Sequence, residues 1–309
     1  MERGRGYGGG LDGGAGEFRN DRSGEARMNA TCVIDDAVQR SSAFWGEHGL
    51  AFLIETEVGR VLFDTGQSGT VLLHNLELLG VDPVTIGALA ISHAHYDHTG
   101  GLPALLERVR PGTPLYGNPD LFRERFSRRE GEAESVGLSL TKEELATRLT
   151  LNLSPVPQEI VPGVWTTGEI TDRPDPEGSS PYHLVRGEDS FVADSYRDDM
   201  ALVLEMPDRG RWGDRLAVLC GCCHAGLLNT LAHVERTFER PIAVIAGGLH
   251  LTSGSPDYLQ RVGEVLVETE SVQRVYPNHC TGESALMALT LALGPSVVRP
   301  CPAGTVVEF

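Results

Sequence analysis

Ser92-His93-Ala94-His95-Tyr96-Asp97-His98-Thr99-Gly100-Gly101 decides how this chain reads. It follows an apolar run at 86–92 (IGALAIS) and precedes a segment with helical apolar spacing. In extended backbone, residues two apart point to the same side, so His93 and His95 can grip one cation. Where the chain turns into the helix, Asp97 and His98 project toward a second position nearby. Imidazole and carboxylate are donors that zinc accepts. Gly100 and Gly101 permit the tight backbone at the helix start. The bland alternative is a polar loop at a strand end. Three histidines and an aspartate packed so closely make that costly without a metal, because buried polar groups need partners.

Outward from the motif, strands and helices alternate. Short β-branched runs bounded by Gly, Asp or Pro predict strands at 29–34, 50–55, 60–64, 86–92, 201–206, 215–220 and 242–246. Apolar residues near i, i+3, i+4 spacing predict helices at 69–79, 101–109, 141–149, 225–238, 256–269 and 283–293. Thr141, with Glu144 three positions on, reads as a capping box. The order of the first half recurs in the second, which predicts two layered βα halves in one α/β domain over 28–309. Residues 1–27 are rich in Gly and charge and predict a disordered tail. An RGG-like RNA-binding arm is the alternative, though acidic residues interrupt it, and Met28 offers a later start. Residues 171–197 hold Pro, Gly, Asp and Ser without a period and read as a long loop, a kind of segment that often carries function.

The balance of charge bounds the partners. A formal net charge of −17 over 309 residues argues against sequence-independent binding to nucleic acid, where phosphate neutralisation supplies most of the affinity. No stretch has the ~20 apolar residues that a membrane span requires, and the amino terminus lacks the apolar core of a secretory signal. Six cysteines in a chain of this length do not make a disulfide framework. Cys220, Cys222 and Cys223 crowd beside His224, which suits a metal site or buried thiols better than bridges. A cytoplasmic enzyme with reduced thiols is the expectation. Within 119–130 (PDLFRERFSRRE), Arg123, Arg125, Arg128 and Arg129 form a candidate anion site for a small anionic substrate. A solvated helix face, neutralised by Glu124, Glu130 and Glu132, is the competing reading. Arg173 and Arg186 are weaker candidates for the same role.

Further motifs occur in order along the chain. They are Glu47-His48-Gly49-Leu50, Leu62-Phe63-Asp64-Thr65-Gly66, Thr167-Gly168-Glu169-Ile170 and Asp198-Asp199-Met200-Ala201-Leu202, then Gly221-Cys222-Cys223-His224-Ala225-Gly226, Gly247-Gly248-Leu249-His250-Leu251 and Pro277-Asn278-His279-Cys280-Thr281-Gly282. With HxHxDH, this series resembles the metallo-β-lactamase superfamily, in the branch that includes dihydropterin-ribofuranosylaminobenzene-phosphate synthase. The resemblance runs over roughly residues 29–309. It implies an αββα sandwich and a dinuclear centre, with His93, His95 and His224 on the first metal and Asp97, His98 and His279 on the second. There is one departure. Most relatives carry a bridging aspartate where this chain reads Gly221-Cys222. Cys222 could serve as a ligand, Asp198 or Asp199 could approach from the preceding strand, or Cys222 could be a buried thiol. Asp64 is expected to hydrogen-bond the HxHxDH loop, as in relatives, against the reading of a plain turn aspartate. His48 and His250 fall near the site by resemblance, although a lone histidine is more often structural.

Two Zn2+ ions per chain are expected ahead of Mn2+ or Fe2+. Zinc brings the pKa of its water near 7, so hydroxide becomes available at neutral pH. The expected activity is hydrolysis of an ester, phosphoester, lactone or similar bond of a small molecule. Asp97 would orient the nucleophile and take its proton. One alternative is a pterin-type synthase or transferase displacing a phosphate-bearing leaving group. Another is a non-catalytic scaffold, against which six candidate ligands speak.

Overall fold

The structure, a computed structural model, describes residues 28–175, 178–206 and 212–309. The Gly-rich segment 1–27 lies outside the described residues.

In the first half the chain forms β1 (Asn29–Ile34), β2 (Ala51–Thr56), β3 (Gly59–Phe63), α1 (Gly69–Leu78), β4 (Ile86–Ala90), the one-turn α2 (Tyr96–Thr99), α3 (Leu102–Leu106) and β5 (Thr113–Gly117). Then come β6 (Arg125–Ser127), β7 (Glu134–Ser135), α4 (Lys142–Ala146), β8 (Leu149–Leu153), β9 (Glu159–Val161), β10 (Val164–Thr166), β11 (His183–Arg186) and β12 (Phe191–Ala193). The rest holds β13 (Ala201–Glu205), β14 (Leu216–Cys220), α5 (Leu227–Phe238), β15 (Ile242–Gly248), α6 (Pro256–Glu268), β16 (Arg274–Asn278), α7 (Glu283–Leu293) and β17 (Val306–Glu308).

One sheet runs β17-β1-β2-β3-β4-β5-β8 and a second β16-β15-β14-β13-β10-β9. Their facing sides share a core that includes Phe52, Phe63, Leu202, Leu219 and Trp212. On the outer face of the first sheet, Leu72 and Leu76 of α1 and Leu102 and Leu105 of α3 pack on Leu53, Leu62 and Leu89. On the outer face of the second, Leu227 and Leu231 of α5, Leu259 and Val262 of α6 and Leu289 of α7 cover Val203, Val218 and Ile245. Strands buried on both faces explain the continuous apolar runs at β4, β14 and β15. The expected αββα sandwich is therefore the observed architecture. A third, small sheet, β12-β11-β6-β7, is added to it.

Two expectations need correction. The helix placed over 141–149 ends at Ala146, and Leu149 already begins β8, paired parallel to β5. Its capping box of Thr141 and Glu144 is present. The long loop over 171–197 contains the β11–β12 hairpin, which pairs onto β6. Thus Arg125 stands on a strand that follows a short turn, where a solvated helix face was the competing expectation. Among the described residues, no helix is long and apolar enough to cross a membrane.

Sheet register brings the site together. Phe63 pairs with Ala90, so the chain leaving β3 at Asp64 runs beside the loop after β4. In the other sheet β14, β15 and β16 are parallel neighbours, with Cys220 opposite Gly247 and Gly248 opposite Asn278. The loops after these three strands, carrying Cys222 to His224, His250, and His279 to Cys280, therefore leave from adjacent strand ends.

Candidate metal centre

The HxHxDH loop is fixed before its side chains act. The Ser92 N–H and Ser92 hydroxyl donate to the two oxygens of Asp64, each at 2.7 Å. His98 Nδ1 lies 2.7 Å from the same carboxylate, which turns His98 Nε2 inward. Asp64 is thus the orienting residue the sequence suggested, and it is fully buried. The Ala94 N–H donates to Asp198 Oδ2 at 2.8 Å. A Cβ on Gly101 would collide with the Thr65 carbonyl, so the helix start can lie against the turn after β3 only with glycine there.

His93, His95 and His224 converge, and their donor atoms lie within 4.8 Å of one another. His93 Nε2 is 3.0 Å from His95 Nδ1. His224 Nδ1 lies 3.1 Å from the Gly178 carbonyl, which leaves its Nε2 buried without a partner. His95 Nε2 is likewise buried and unpaired. Burial, then the neighbouring imidazoles His98, His95 and His224, hold His93 well below the usual histidine range. Burial does the same to His95 and His224. Neutral imidazoles, each with one nitrogen aimed at a common space, are what a cation requires. The donor set fits a transition metal.

Around Asp97 the second group assembles. His279 Nε2 is 3.3 Å from Asp97 Oδ2, and the Nε2 atoms of His98 and His48 are each 3.5 Å from it. Burial would raise the Asp97 carboxyl, but His98 and His279 override this and hold it well below the usual carboxylate range. Cys222 Sγ is 3.2 Å from His98 Nε2, and His93, His98 and Cys222 form another tight donor group. Of the candidates for the bridging position, Cys222 is the one within hydrogen-bonding distance of a histidine of the HxHxDH motif. Asp198 is committed to the Ala94 N–H and to Arg125, whose Nη2 is 2.6 Å away. Asp199 Oδ2 accepts the Ala225 N–H at 2.9 Å and steadies the turn that carries His224, while its Oδ1 is buried without a hydrogen-bond partner. Burial pushes these acids up, to about 7 for Asp198, against the opposing charge of Arg125, and to about 6 for Asp199.

His48 and His250 both reach the site. His48 is half-exposed, with Nδ1 3.2 Å from Asp36 Oδ2. His250 tilts against His224, with ring centroids 4.3 Å apart. The four arginines do not act together. Arg125 is 1% exposed and buried among Asp120, Asp194 and Asp198, so it is a structural cation and no anion clamp. Arg123 sits at the end of the Pro119–Phe122 turn, and its carbonyl accepts a bond from Arg125. Arg128 lies over the Phe191 ring and Arg129 over Tyr182. Burial holds His183 below the usual histidine range and Tyr96 above the usual phenol range, and the Arg129 charge lowers each by a smaller effect. Arg173 donates to the carbonyls of Ile170, Ser195 and Tyr196, and Arg186 pairs with Glu124.

Sequence reasoning missed several neighbours. Tyr196 stacks on His224 at 4.3 Å and 4°, and its hydroxyl is 2.9 Å from His183 Nδ1. The His183 ring stands 4.8 Å from that of His95. Both residues come from the segment read as a functional loop, which was the available signal. Asp35 and Asp36 position His279, through its N–H at 2.7 Å and its Nδ1 at 2.9 Å.

These features define a class. Residues 45–197 match the family described as the metallo-beta-lactamase superfamily, and the chain belongs to that superfamily. The solved structure of Tm1679, described as a metal-dependent hydrolase of the beta-lactamase superfamily, is 28% identical. It covers 91% of this chain and 99% of its own, with a TM-score of 0.76. The 7,8-dihydropterin-6-methyl-4-(beta-D-ribofuranosyl)-aminobenzene-5'-phosphate synthase of Methanocaldococcus jannaschii is 29% identical over 269 residues, 82% of this chain and 87% of its own. YhfI of Bacillus subtilis, at 12% identity and a TM-score of 0.54 over 92% of this chain and 100% of its own, shares the fold.

Proposed function

We propose that the chain is a metal-dependent hydrolase, binding two zinc ions and cleaving an ester, phosphoester, lactone or similar bond of a small anionic substrate. One observation carries this reading. His93, His95 and His224 are buried from separate loops onto one space, with the Nε2 atoms of His95 and His224 left unpaired. An unpaired buried polar atom costs about 1–3 kcal/mol, so two in one place need a ligand. His93, His95 and His224 would hold one ion, and His98, His279 and Asp97, with Cys222, the other. Such a cation supplies Lewis acidity, polarising a substrate oxygen and letting water ionise near neutral pH.

The chain's own residues do the rest. Asp97, kept ionised by its histidines, is an acceptor that can orient an attacking water and take its proton. His48, on the exposed side of Asp97, is placed to hand that proton to solvent. Arg129, exposed over the Tyr182 ring, is the candidate charge for a phosphate or carboxylate. Six free thiols accord with a reducing, cytoplasmic setting.

A broad hydrolase screen on protein of measured metal content tests the reading. Turnover that tracks zinc content supports it; activity unchanged in fully stripped protein would sink it. For the anion, binding of a phosphorylated compound and its dephosphorylated analogue is compared in Arg129→Ala. A loss of about tenfold or more confined to the phosphorylated form is expected, the scale of a hydrogen bond to a charged group. Equal effects on both compounds would return Arg129 to the solvent.

The similarity to a synthase favours a second reading, displacement of a phosphate-bearing leaving group by an acceptor other than water. Product analysis with and without an amine acceptor separates the two.

A further inference from the structure

Cys222 is shared by three groups of donor atoms, each within 4.8 Å: with His93 and His98, with His224 and His250, and with His279 and Cys280. The last group contains a thiol to which the superfamily's pattern gives no task. We propose that Cys280 joins Cys222 and His279 as a metal ligand, so that the second position of the site has a two-sulfur donor set. This rests on the metal-dependent reading above and specifies the chemistry of its second ion.

The other cysteines show what a merely buried thiol looks like here. Cys32 and Cys301 are members of the core between the sheets, and Cys220 and Cys223 pack in the apolar layer under the helices. Cys222 and Cys280 face imidazoles instead. Cys280 Sγ is held in place by the His250 N–H, which donates to it at 3.3 Å, and lies 3.7 Å from the Cys222 carbonyl.

Room for the sulfur is built into the strand end. A Cβ on Gly248 would stand 2.3 Å from the Gly221 carbonyl, 2.8 Å from Cys280 Sγ and 3.3 Å from the His279 ring, so glycine here lets the loop after β14 and the Cys280 sulfur approach together. The backbone around it is held in unusual form. Cys223, His250 and His279 have φ of 57°, 48° and 46°, left-handed values that L-residues avoid. Such conformations persist where surrounding structure enforces them, commonly at ligand sites. All three flank the same space.

Binding a divalent ion here would hold both sulfurs as thiolates, any proton still on a thiol leaving to solvent, with no redox change. Soft thiolate donors favour zinc or cobalt over magnesium or manganese. The expected second ion is therefore thiophilic.

The test is titration of reduced, metal-free full chain with Co2+, reading thiolate-to-cobalt charge-transfer absorption beside total bound cobalt. The wild type should show the band. Cys280→Ser should lose roughly half of it, and the Cys222→Ser/Cys280→Ser pair all of it, if each sulfur is a ligand. A band undiminished in Cys280→Ser, with cobalt bound, overturns the proposal and leaves the metal-dependent reading standing. Cobalt that does not bind at all overturns both. Should the variants fail to fold, X-ray absorption on zinc-loaded wild type decides. About one sulfur per zinc near 2.3 Å is expected when both thiols bind only the second of two ions; about half that would overturn a role for Cys280.

Discussion

Arg125 shows how far a residue's setting can depart from its sequence context. In the sequence it is one of four clustered arginines. In the fold it is a buried cation with Asp194 at 3.0 Å and Asp198 at 2.6 Å, and Asp198 in turn holds the Ala94 N–H between His93 and His95. Removing one partner of a buried ion pair costs about 3–5 kcal/mol, so Arg125→Ala should lose stability on that scale in urea unfolding. A loss under about 1 kcal/mol, the range of exposed pairs, would show the network to be slack. Asp64→Asn tests orientation. The amide's single oxygen cannot accept both from the Ser92 N–H on one side and from the Ser92 hydroxyl and His98 on the other, and partners of metal-bound histidines are typically worth 10–100-fold in metal affinity. Competition against a chromophoric chelator should show that drop. The HxHxDH residues and Asp64 were legible because spacing and chemistry coincide there. His183, Tyr196 and Asp36 were not, since each acquires its role only from a neighbour distant in sequence.

Among the elements, those with one strong period were readable. The helices α1, α5, α6 and α7 and the buried strands β1, β4, β14 and β15 lie close to where apolar spacing put them. Missed strands had reasons. Pro114 and Pro277 disguise β5 and β16, and the latter is an edge where proline is tolerated. The strands β11 and β12 are short and half-exposed, so no apolar run marks them. The start of α1 has an unannounced support. Glu47 accepts from the Gln67 N–H at 3.0 Å, the Ser68 N–H at 2.8 Å and the Ser68 hydroxyl at 2.6 Å. Glu47→Ala should lower stability by about 1–2 kcal/mol, given the charge-assisted bonds and their partial exposure. Glu47→Gln, which can keep one acceptor, should recover part of that loss in the same denaturation series.

For the whole molecule, the site joins both sheets, because its donors leave β4 on one side and β14, β15 and β16 on the other. Metal should therefore stabilise the sandwich as a unit. A ligand at about 1,000 times its Kd adds about 4 kcal/mol, and for a chain of this size 1 kcal/mol moves Tm by roughly 2–4 °C. Chelation should lower Tm by on the order of 10 °C, reversed by zinc; an unchanged Tm would mean that the buried histidines hold no ion. The sandwich itself was legible from two recurring βα halves. The pairing of β17 with β1 was not, since three residues at 306–308 carry no pattern. That pairing has a consequence for biosynthesis. The outer neighbour of β1 is made about 270 residues after it, so the Phe309 N–H reaches the Met28 carbonyl only then. Until then β1 keeps an unpaired edge, the kind of surface that recruits other chains. The nascent chain is thus open to pairing with other chains until β17 docks, and a chaperone that shields this edge would be displaced by that docking.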